Sequence, residues 1–331
     1  MELAAPSVPS WLAEVALKAR RFTRRVVQPT IGKPLSAAFR GLDVTYPGFG
    51  RPIPGTPQMQ WIPDFQHIHL PQFFSPEEKA SRDRRFADVA GSKGVVILSS
   101  QSALSDFARL YPSASAMPRV WSFCTTLTDA EEGGRDPHQA FDLPDFYLYV
   151  PNQFWAHKGH STLFEALASL RKVGKTPTVV CTGTMSDPRD VDHVPRLISL
   201  IEREGLANQV KFLGVVSRAD QIQILRHAAA VIQPSTFEGW STVVEDAKAV
   251  GRPVILSDIP VHREQAPEGI LFEVGSSRSL ASVLGDALEN LRPGPDERAE
   301  REAAEVTERT RRQRAAEFIS YALEACSSSR S

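Results

Sequence analysis

The chain reads as an α/β protein built from two Rossmann-like halves, each a doubly wound parallel sheet flanked by helices. Three observations predict this. Short apolar, β-branched runs recur along the 331 residues, and each is followed by a polar turn and then by apolar residues at helical spacing, the pattern of strand–loop–helix units in a parallel sheet. The turns carry helix-starting signals, among them Ser75-Pro76-Glu77-Glu78, Ser217 to Asp220 and Ser241-Thr242. Residues 125–145 hold acids, glycines and prolines without periodicity, which marks a linker in a chain long enough for two domains. The expected division is a partial first domain at 1–125, a linker at 126–145, a second domain at 146–290, and a helix and tail at 291–331.

Composition limits the function classes. Hydrophobic residues at 42% and charged residues at 23% are ordinary for a globular protein, so no core is lacking. The formal net charge of −1 gives no overall basic field and argues against a nucleic-acid partner. Cys124, Cys181 and Cys326 are far apart, with no metal-ligand spacing, and suit a reducing cytoplasm. No apolar run is long enough to span a membrane, and the start has no signal-peptide pattern. A cytoplasmic location is expected.

In the first half, residues 11–27 mix apolar residues with Lys18, Arg20, Arg21, Arg24 and Arg25. They read first as a surface helix with a solvated basic face, and second as a peripheral contact with anionic lipid at the inner face of a membrane. A short strand is expected at 42–47. The run WIPDFQHIHLPQFFSPEE at 61–78 gives a strand ending at Pro63-Asp64, with Asp64, Gln66, His67 and His69 where a site could lie, and then a capped helix. A strand at 95–100, a helix at 102–110 and a strand at 119–124 follow.

The second half opens with a strand at 146–150 and a polar loop holding Gln153 and Lys158. A flexible ammonium at the end of that loop can reach a diphosphate, and a glutamine can hydrogen-bond one without adding charge. The helix behind the loop carries Leu163, Phe164, Leu167 and Leu170 at helical spacing. Residues 176–190 give a strand, a tight turn at Gly183, and a helix expected to start near Ser186 or Asp187. The acid pair Asp190 and Asp192 then falls inside that helix, which makes it a poor metal site. Residues 210–228 give a strand, a turn at Gly214 and a helix capped at Ser217.

Residues 230–258 are the most informative. Ala230 to Gln233 reads as a buried strand, followed by a loop through Glu238, Gly239 and Trp240 and a helix starting at Ser241 or Thr242. A helix starting at the carboxyl end of a parallel strand points free N–H groups and its positive dipole end at the ligand crevice, where a phosphate would sit. Glu238 and Asp246 flank that place, and carboxylates beside a phosphate site suit sugar hydroxyls. Strands at the RPVILSD and GILFEVG runs close the sheet, and a charged helix is expected over 296–325.

This stretch resembles the retaining GT-B glycosyltransferases of family 4, whose donor site carries Glu, seven residues and a second acid, then Ala, Gly and Pro-Val. Glu238, Asp246, Ala247, Gly251, Pro253 and Val254 match in order. The family's second acid is usually Glu, where this chain has Asp246. Lys158-Gly159 match the family's phosphate loop, but Gln153 stands where an Arg is expected. The segment from Trp61 to His67 resembles one branch of the family in its acceptor half. The resemblance implies that Glu238 meets the transferred sugar and Asp246 the ribose. It further implies that Gly183 approaches the donor, that backbone near Val215 holds the base, and that Asp64 and His67 contact the acceptor. Set against the family, the resemblance implies an incomplete first half, with no counterpart found for the family's first strand–helix units.

The leading expectation is a retaining glycosyltransferase that moves a sugar from a nucleotide-sugar donor to a glycan or lipid-linked hydroxyl acceptor in polysaccharide or glycoconjugate synthesis, with no metal or bound cofactor. Its catalytic residues would be Glu238, Lys158 and His67. Its donor would be held by Gln153, Gly183, Val215, Gly239, Trp240, Ser241, Thr242 and Asp246. The alternative is a non-catalytic nucleotide-sugar-binding partner or regulator. An epimerase on the same fold fits the spacing less well.

Overall fold

The structure, a computed structural model, describes residues 44–48, 56–128, 131 and 133–328. The basic stretch at 11–27 lies outside these residues. No helix among the described residues is long and apolar enough to cross a membrane.

A parallel four-stranded sheet forms the first half, in the order β1 (Thr45–Gly48), β2 (Gln58–Ile62), β3 (Val95–Leu98) and β4 (Met117–Val120). Connecting these strands are α1 (Gln66–His69), α2 (Pro76–Gly91) and α3 (Gln101–Leu110). The Ser75 hydroxyl accepts from the Glu78 amide at 3.1 Å, and the Glu78 carboxylate accepts from the Ser75 amide at 2.8 Å. Two otherwise unpaired donors at the start of α2 are thereby satisfied. β4 ends at Val120, four residues before the expected limit. The chain from Trp121 onward leaves the sheet and crosses towards the second half.

Within the expected linker lies α4 (Pro137–Phe141), started by Asp136, whose carboxylate accepts from the His138 amide at 2.8 Å. The second half then follows as β5 (Leu148–Pro151), α5 (His160–Lys172), β6 (Val179–Thr182), α6 (His193–Arg203), β7 (Val210–Gly214), α7 (Arg218–His227), β8 (Ala230–Gln233), α8 (Thr242–Ala249), β9 (Val254–Ser257), α9 (Pro260–Gln265), β10 (Ile270–Phe272) and α10 (Ser277–Ala287). Its six strands are all parallel, in the order β10-β9-β8-β5-β6-β7. The winding direction reverses between β5 and β8, and a crevice opens at their carboxyl ends.

Both faces of this sheet are covered, which is why its strands read as continuous apolar runs. Leu148 and Val150 pack with Leu163, Leu167 and Ile232 on one face, whereas Tyr147 and Tyr149 pack with Val231, Val244 and Ala247 on the other. Each fully buried Leu or Val contributes roughly 1.5–3 kcal/mol.

The last helix, α11 (Glu297–Ser328), is more than a surface helix. Near its start Glu300 accepts from Arg226 of the second half at 2.6 Å. Further along, the Arg314 carbonyl accepts from Trp121 at 2.8 Å, Phe318 meets Tyr46 edge-on at 5.0 Å, and Glu324 pairs with Arg119. The helix thus straps the two sheets together.

One helix start differs from expectation. α6 begins at His193, with Asp192 before it, so Asp190 and Asp192 sit in the preceding turn and not inside a helix. Asp187 does not cap: its carboxylate accepts instead from the Ala156 amide at 2.8 Å and the Arg189 amide at 3.0 Å.

Candidate functional site

A cleft of about 490 Å³ opens at the carboxyl ends of β5, β6 and β8. Gln153, Lys158, Gly183, Val215, Glu238, Trp240, Ser241 and Thr242, all singled out in the sequence, line it together with Asn152, Trp155 and Gln221. Residues from loops up to 90 positions apart meet there because the strand order brings β5 and β8 side by side.

Lys158 and Glu238 meet in this cleft. The ammonium donates to Oε1 of Glu238 at 2.7 Å, with side-chain exposures of 16% and 10%. Burial pushes the Glu238 carboxyl up, but the Lys158 ammonium and the Ser235 hydroxyl more than offset this and hold it below the usual carboxylate range. At neutral pH the acid is therefore ionised beside a cation.

Lys158 is held by a fixed loop. Gly159 has φ +75°, and a Cβ there would come within 2.1 Å of the Pro234 carbonyl oxygen, so only glycine lets the two loops touch. The Thr236 amide donates to the His157 carbonyl at 2.8 Å, and Asp187 holds Ala156 from the other side. Burial, reinforced by Lys158, pushes the His157 imidazole down to about 4, which keeps it neutral beside the ammonium. A second close approach occurs at Gly183, where a Cβ would lie 2.3 Å from the Asn152 carbonyl oxygen. Gln153 accepts from the Thr184 amide at 2.9 Å through its side-chain oxygen, which leaves its NH₂ for the cleft.

The start of α8 is fixed from two sides. The Ser241 hydroxyl accepts from the Val244 amide at 3.4 Å, and Gln265 of α9 accepts from the Ser241 amide at 3.1 Å and donates to its carbonyl at 2.7 Å. The first-turn amides of Thr242 and Val243 have no partner within the helix and belong to residues that line the cleft. Their N–H groups and the helix dipole favour an anion there.

Three predicted site residues, Asp246, His67 and Gly239, do not line the cleft. Asp246 is 1% exposed and does not line the cleft; it pairs with both guanidinium amines of Arg218 and accepts from the Thr125 hydroxyl at 2.7 Å. Its neighbour Glu245 is likewise occupied, by Lys248 at 3.0 Å and Gln265 at 2.9 Å. His67 is fully buried in the first half, edge-on to Phe74 and Phe86, with Nε2 3.1 Å from Asp83. It packs among aromatic rings and does not line the cleft.

Gly239 joins the two halves. A Cβ on it would meet the Pro63 carbonyl oxygen and Asp64 Cβ, each at 2.9 Å, so the loop after Glu238 lies directly against the end of β2. Nearby, Trp240 donates to the Phe123 carbonyl at 2.9 Å, His69 stacks obliquely on Phe237 at 5.3 Å, and Glu264 of α9 accepts from the Gln101 amide at the start of α3 at 2.9 Å. The first half thus packs against the loop after Glu238 and against α9, beside the cleft. The sequence reading missed Gln265, Arg218, Asn152 and Gln233; buried Gln and Asn at strand and helix ends are the signal that could have found the last two.

Comparison with known proteins agrees with this geometry. Residues 135–306 match the family model described as "Glycosyl transferases group 1". The chain is 27% identical over 148 residues to the D-inositol 3-phosphate glycosyltransferase of Corynebacterium glutamicum (strain R), a match covering 42% of this chain and 35% of that protein. The protein of the same name from Mycolicibacterium vanbaalenii is 30% identical over 95 residues, 28% of this chain and 21% of that one. The matches therefore span about a third or less of these curated relatives. Among solved structures, Anabaena HepE in complex with UDP and glucose superposes with a TM-score of 0.60 at 22% identity, over 80% of this chain and 72% of that one. Sucrose-phosphate synthase from Thermosynechococcus elongatus gives 0.58 at 20%, over 81% and 66%. At these identities the structures speak for the shared GT-B fold alone. With the donor-side motif, the six-stranded sheet and the family match all falling on the same residues, the chain belongs to the glycosyl transferases group 1 family.

Proposed function

We propose that the protein is a retaining glycosyltransferase that moves a sugar from a nucleotide-sugar donor to a hydroxyl acceptor without a metal, in the synthesis of a cell-surface polysaccharide or glycoconjugate. The observation that carries this reading is the Lys158–Glu238 pair facing a cleft beside the start of α8. The HepE structures with UDP and with UDP-glucose support a uridine donor as the first to try.

When the bond between the sugar's C1 and the diphosphate breaks, negative charge grows on the leaving phosphate. Lys158, the Gln153 NH₂ and the Thr242 and Val243 amides stand ready to receive it, preorganised by the loop and helix contacts described above. Glu238 accepts hydrogen bonds from the sugar hydroxyls and orients the ring. The acceptor oxygen then bonds to C1 on the face the phosphate leaves, and its proton passes to the departing phosphate oxygen, so no separate base is required. Asp64, at the end of β2 beside Gly239, would touch the acceptor from the first half. The 2.8 Å bond from the Gln66 amide to Asp64 Oδ1 holds that carboxylate in place.

Calorimetric titration with UDP, GDP and ADP and with their glucose conjugates, followed by a hydrolysis assay with and without EDTA, tests the reading. Selective binding with EDTA-insensitive turnover and a retained anomeric configuration is expected. Binding without turnover would favour a non-catalytic nucleotide-sugar-binding partner, and no binding would remove the donor site altogether.

A further inference from the structure

Behind Glu238 lies a chain of buried amides that neither the family motif nor the proposed chemistry uses. Gln233, the last residue of β8, is 0% exposed, and Asn152, just past the end of β5, is 3% exposed. Asn152 Nδ2 donates to Gln233 Oε1 at 2.7 Å. Gln233 Nε2 in turn donates to Glu238 Oε1 at 2.8 Å and to the Ser235 hydroxyl at 3.2 Å. A buried amide is costly unless its groups are bonded, and here its oxygen and both N–H groups have partners. The orientation is also fixed by chemistry. An ionised Glu238 can only accept, so Gln233 must turn its NH₂ towards it and its oxygen towards the Asn152 amine.

We propose that Gln233, backed by Asn152, is a positioning residue for Glu238: it locks the carboxylate in the rotamer that meets the transferred sugar. Lys158 and Gln233 both bond Oε1. Lys158 is a flexible side chain facing the cleft and would be drawn towards the donor's diphosphate when that binds. Gln233 is rigid and buried, so it keeps Glu238 in place when the lysine's attention is divided. The relay exists because β5 and β8 are hydrogen-bonded neighbours, with Leu148 opposite Ala230 and Tyr149 opposite Val231, which brings the two strand ends together.

This proposal rests on the reading of Glu238 as the sugar contact, and the test separates the two. Turnover of UDP-, GDP- and ADP-glucose is measured for the wild type, Glu238→Ala, Gln233→Met and Gln233→Glu, with nucleoside diphosphate affinity measured alongside. Gln233→Met, close in volume but without an amide, should lower kcat roughly 100-fold, the scale of a misplaced reacting group, while diphosphate affinity stays within about twofold. Gln233→Glu should be inactive near neutral pH, where two carboxylates face each other, and should regain activity as the pH falls and the new acid is protonated and can donate. A merely structural glutamine would give no such acid rescue. If Glu238→Ala is inactive but Gln233→Met turns over like wild type, or Gln233→Glu shows no acid rescue, the relay is overturned. If Glu238→Ala itself keeps wild-type turnover, or the wild type turns over none of the three donors, the sugar-contact reading fails and the relay with it.

Discussion

Lys158 and Glu238, 80 positions apart in the chain, form a 2.7 Å ion pair at the mouth of the crevice between β5 and β8. The cation suited to a diphosphate is therefore positioned by the acid suited to a sugar, and the acid's charge is maintained by the cation. Each half of the site depends on the other.

Removing Lys158 should affect more than charge. In Lys158→Ala the largely buried Glu238 loses its counter-ion, so its carboxyl should rise above its present depressed value while diphosphate affinity falls by roughly tenfold. Breaking a buried pair from one side leaves an uncompensated charge, a loss of about 3 kcal/mol at most here given the partial exposure of both groups. The double variant Lys158→Ala/Glu238→Ala should be more stable than Lys158→Ala alone. Chemical denaturation of the four-member cycle measures this directly.

Acid should weaken the fold in two stages. Burial pushes His157 down to about 4 and His160 down to about 3, so the unfolded chain binds protons at these positions from about pH 6.5 downward while the folded chain does not. Stability should hold above that pH and decline as the pH falls towards 4. Glu238 adds a later loss: its folded pKa is depressed, so its contribution is fully present above about pH 4.3 and disappears as the pH falls through the lower folded value. Urea midpoints measured from about pH 7.5 down to about pH 2.5 should fall steadily, and replacing His157 by Gln should flatten the first stage.

Gly239→Ala should separate folding from function. Its Cβ would press on the Pro63 carbonyl oxygen and Asp64 Cβ at 2.9 Å, atoms of the other half, and both halves keep their cores. The thermal midpoint should change by only a few degrees, nucleoside diphosphate binding should persist, and turnover should fall as Asp64 is pushed from the Glu238 loop. Steady-state kinetics beside a melting curve checks the contrast.

Asp246→Ala should behave as a structural variant. The acid binds Arg218 through two contacts and accepts from Thr125, and its removal should cost about 2 kcal/mol, below the full cost of breaking a buried pair because Arg218 is partly exposed. The thermal midpoint should fall, and diphosphate affinity should change less than in Lys158→Ala. A comparable loss of affinity in both variants would assign Asp246 to the ligand.

Most of the donor-side architecture was legible because its signals are local. Ala230 to Ile232 is apolar on both faces, and Ser241 caps α8 through its own hydroxyl, so neighbouring residues suffice to read both. What escaped depends on distant partners. Ser186 and Asp187 read as a cap, but Asp187 is taken by the amides of Ala156 and Arg189, and the helix waits until His193. A histidine beside a strand end is ambiguous in sequence, and only the fold shows Phe74 and Phe86 against His67. Nothing near Asp246 in the chain announces its pairing with Arg218. A glutamine ending an apolar strand is a signal at Gln233, but its partner Asn152 is legible only once β5 is set beside β8.

The most direct test of the central claim is a comparison of wild type and Glu238→Ala, with donor turnover and nucleoside diphosphate affinity measured on the same preparations. The account predicts that the variant binds the diphosphate within a few-fold of wild type while turnover is lost by a factor of about 100 or more. Equal turnover in the two proteins would contradict it, because the cleft built around Lys158 and Glu238 would then not be where the sugar is transferred.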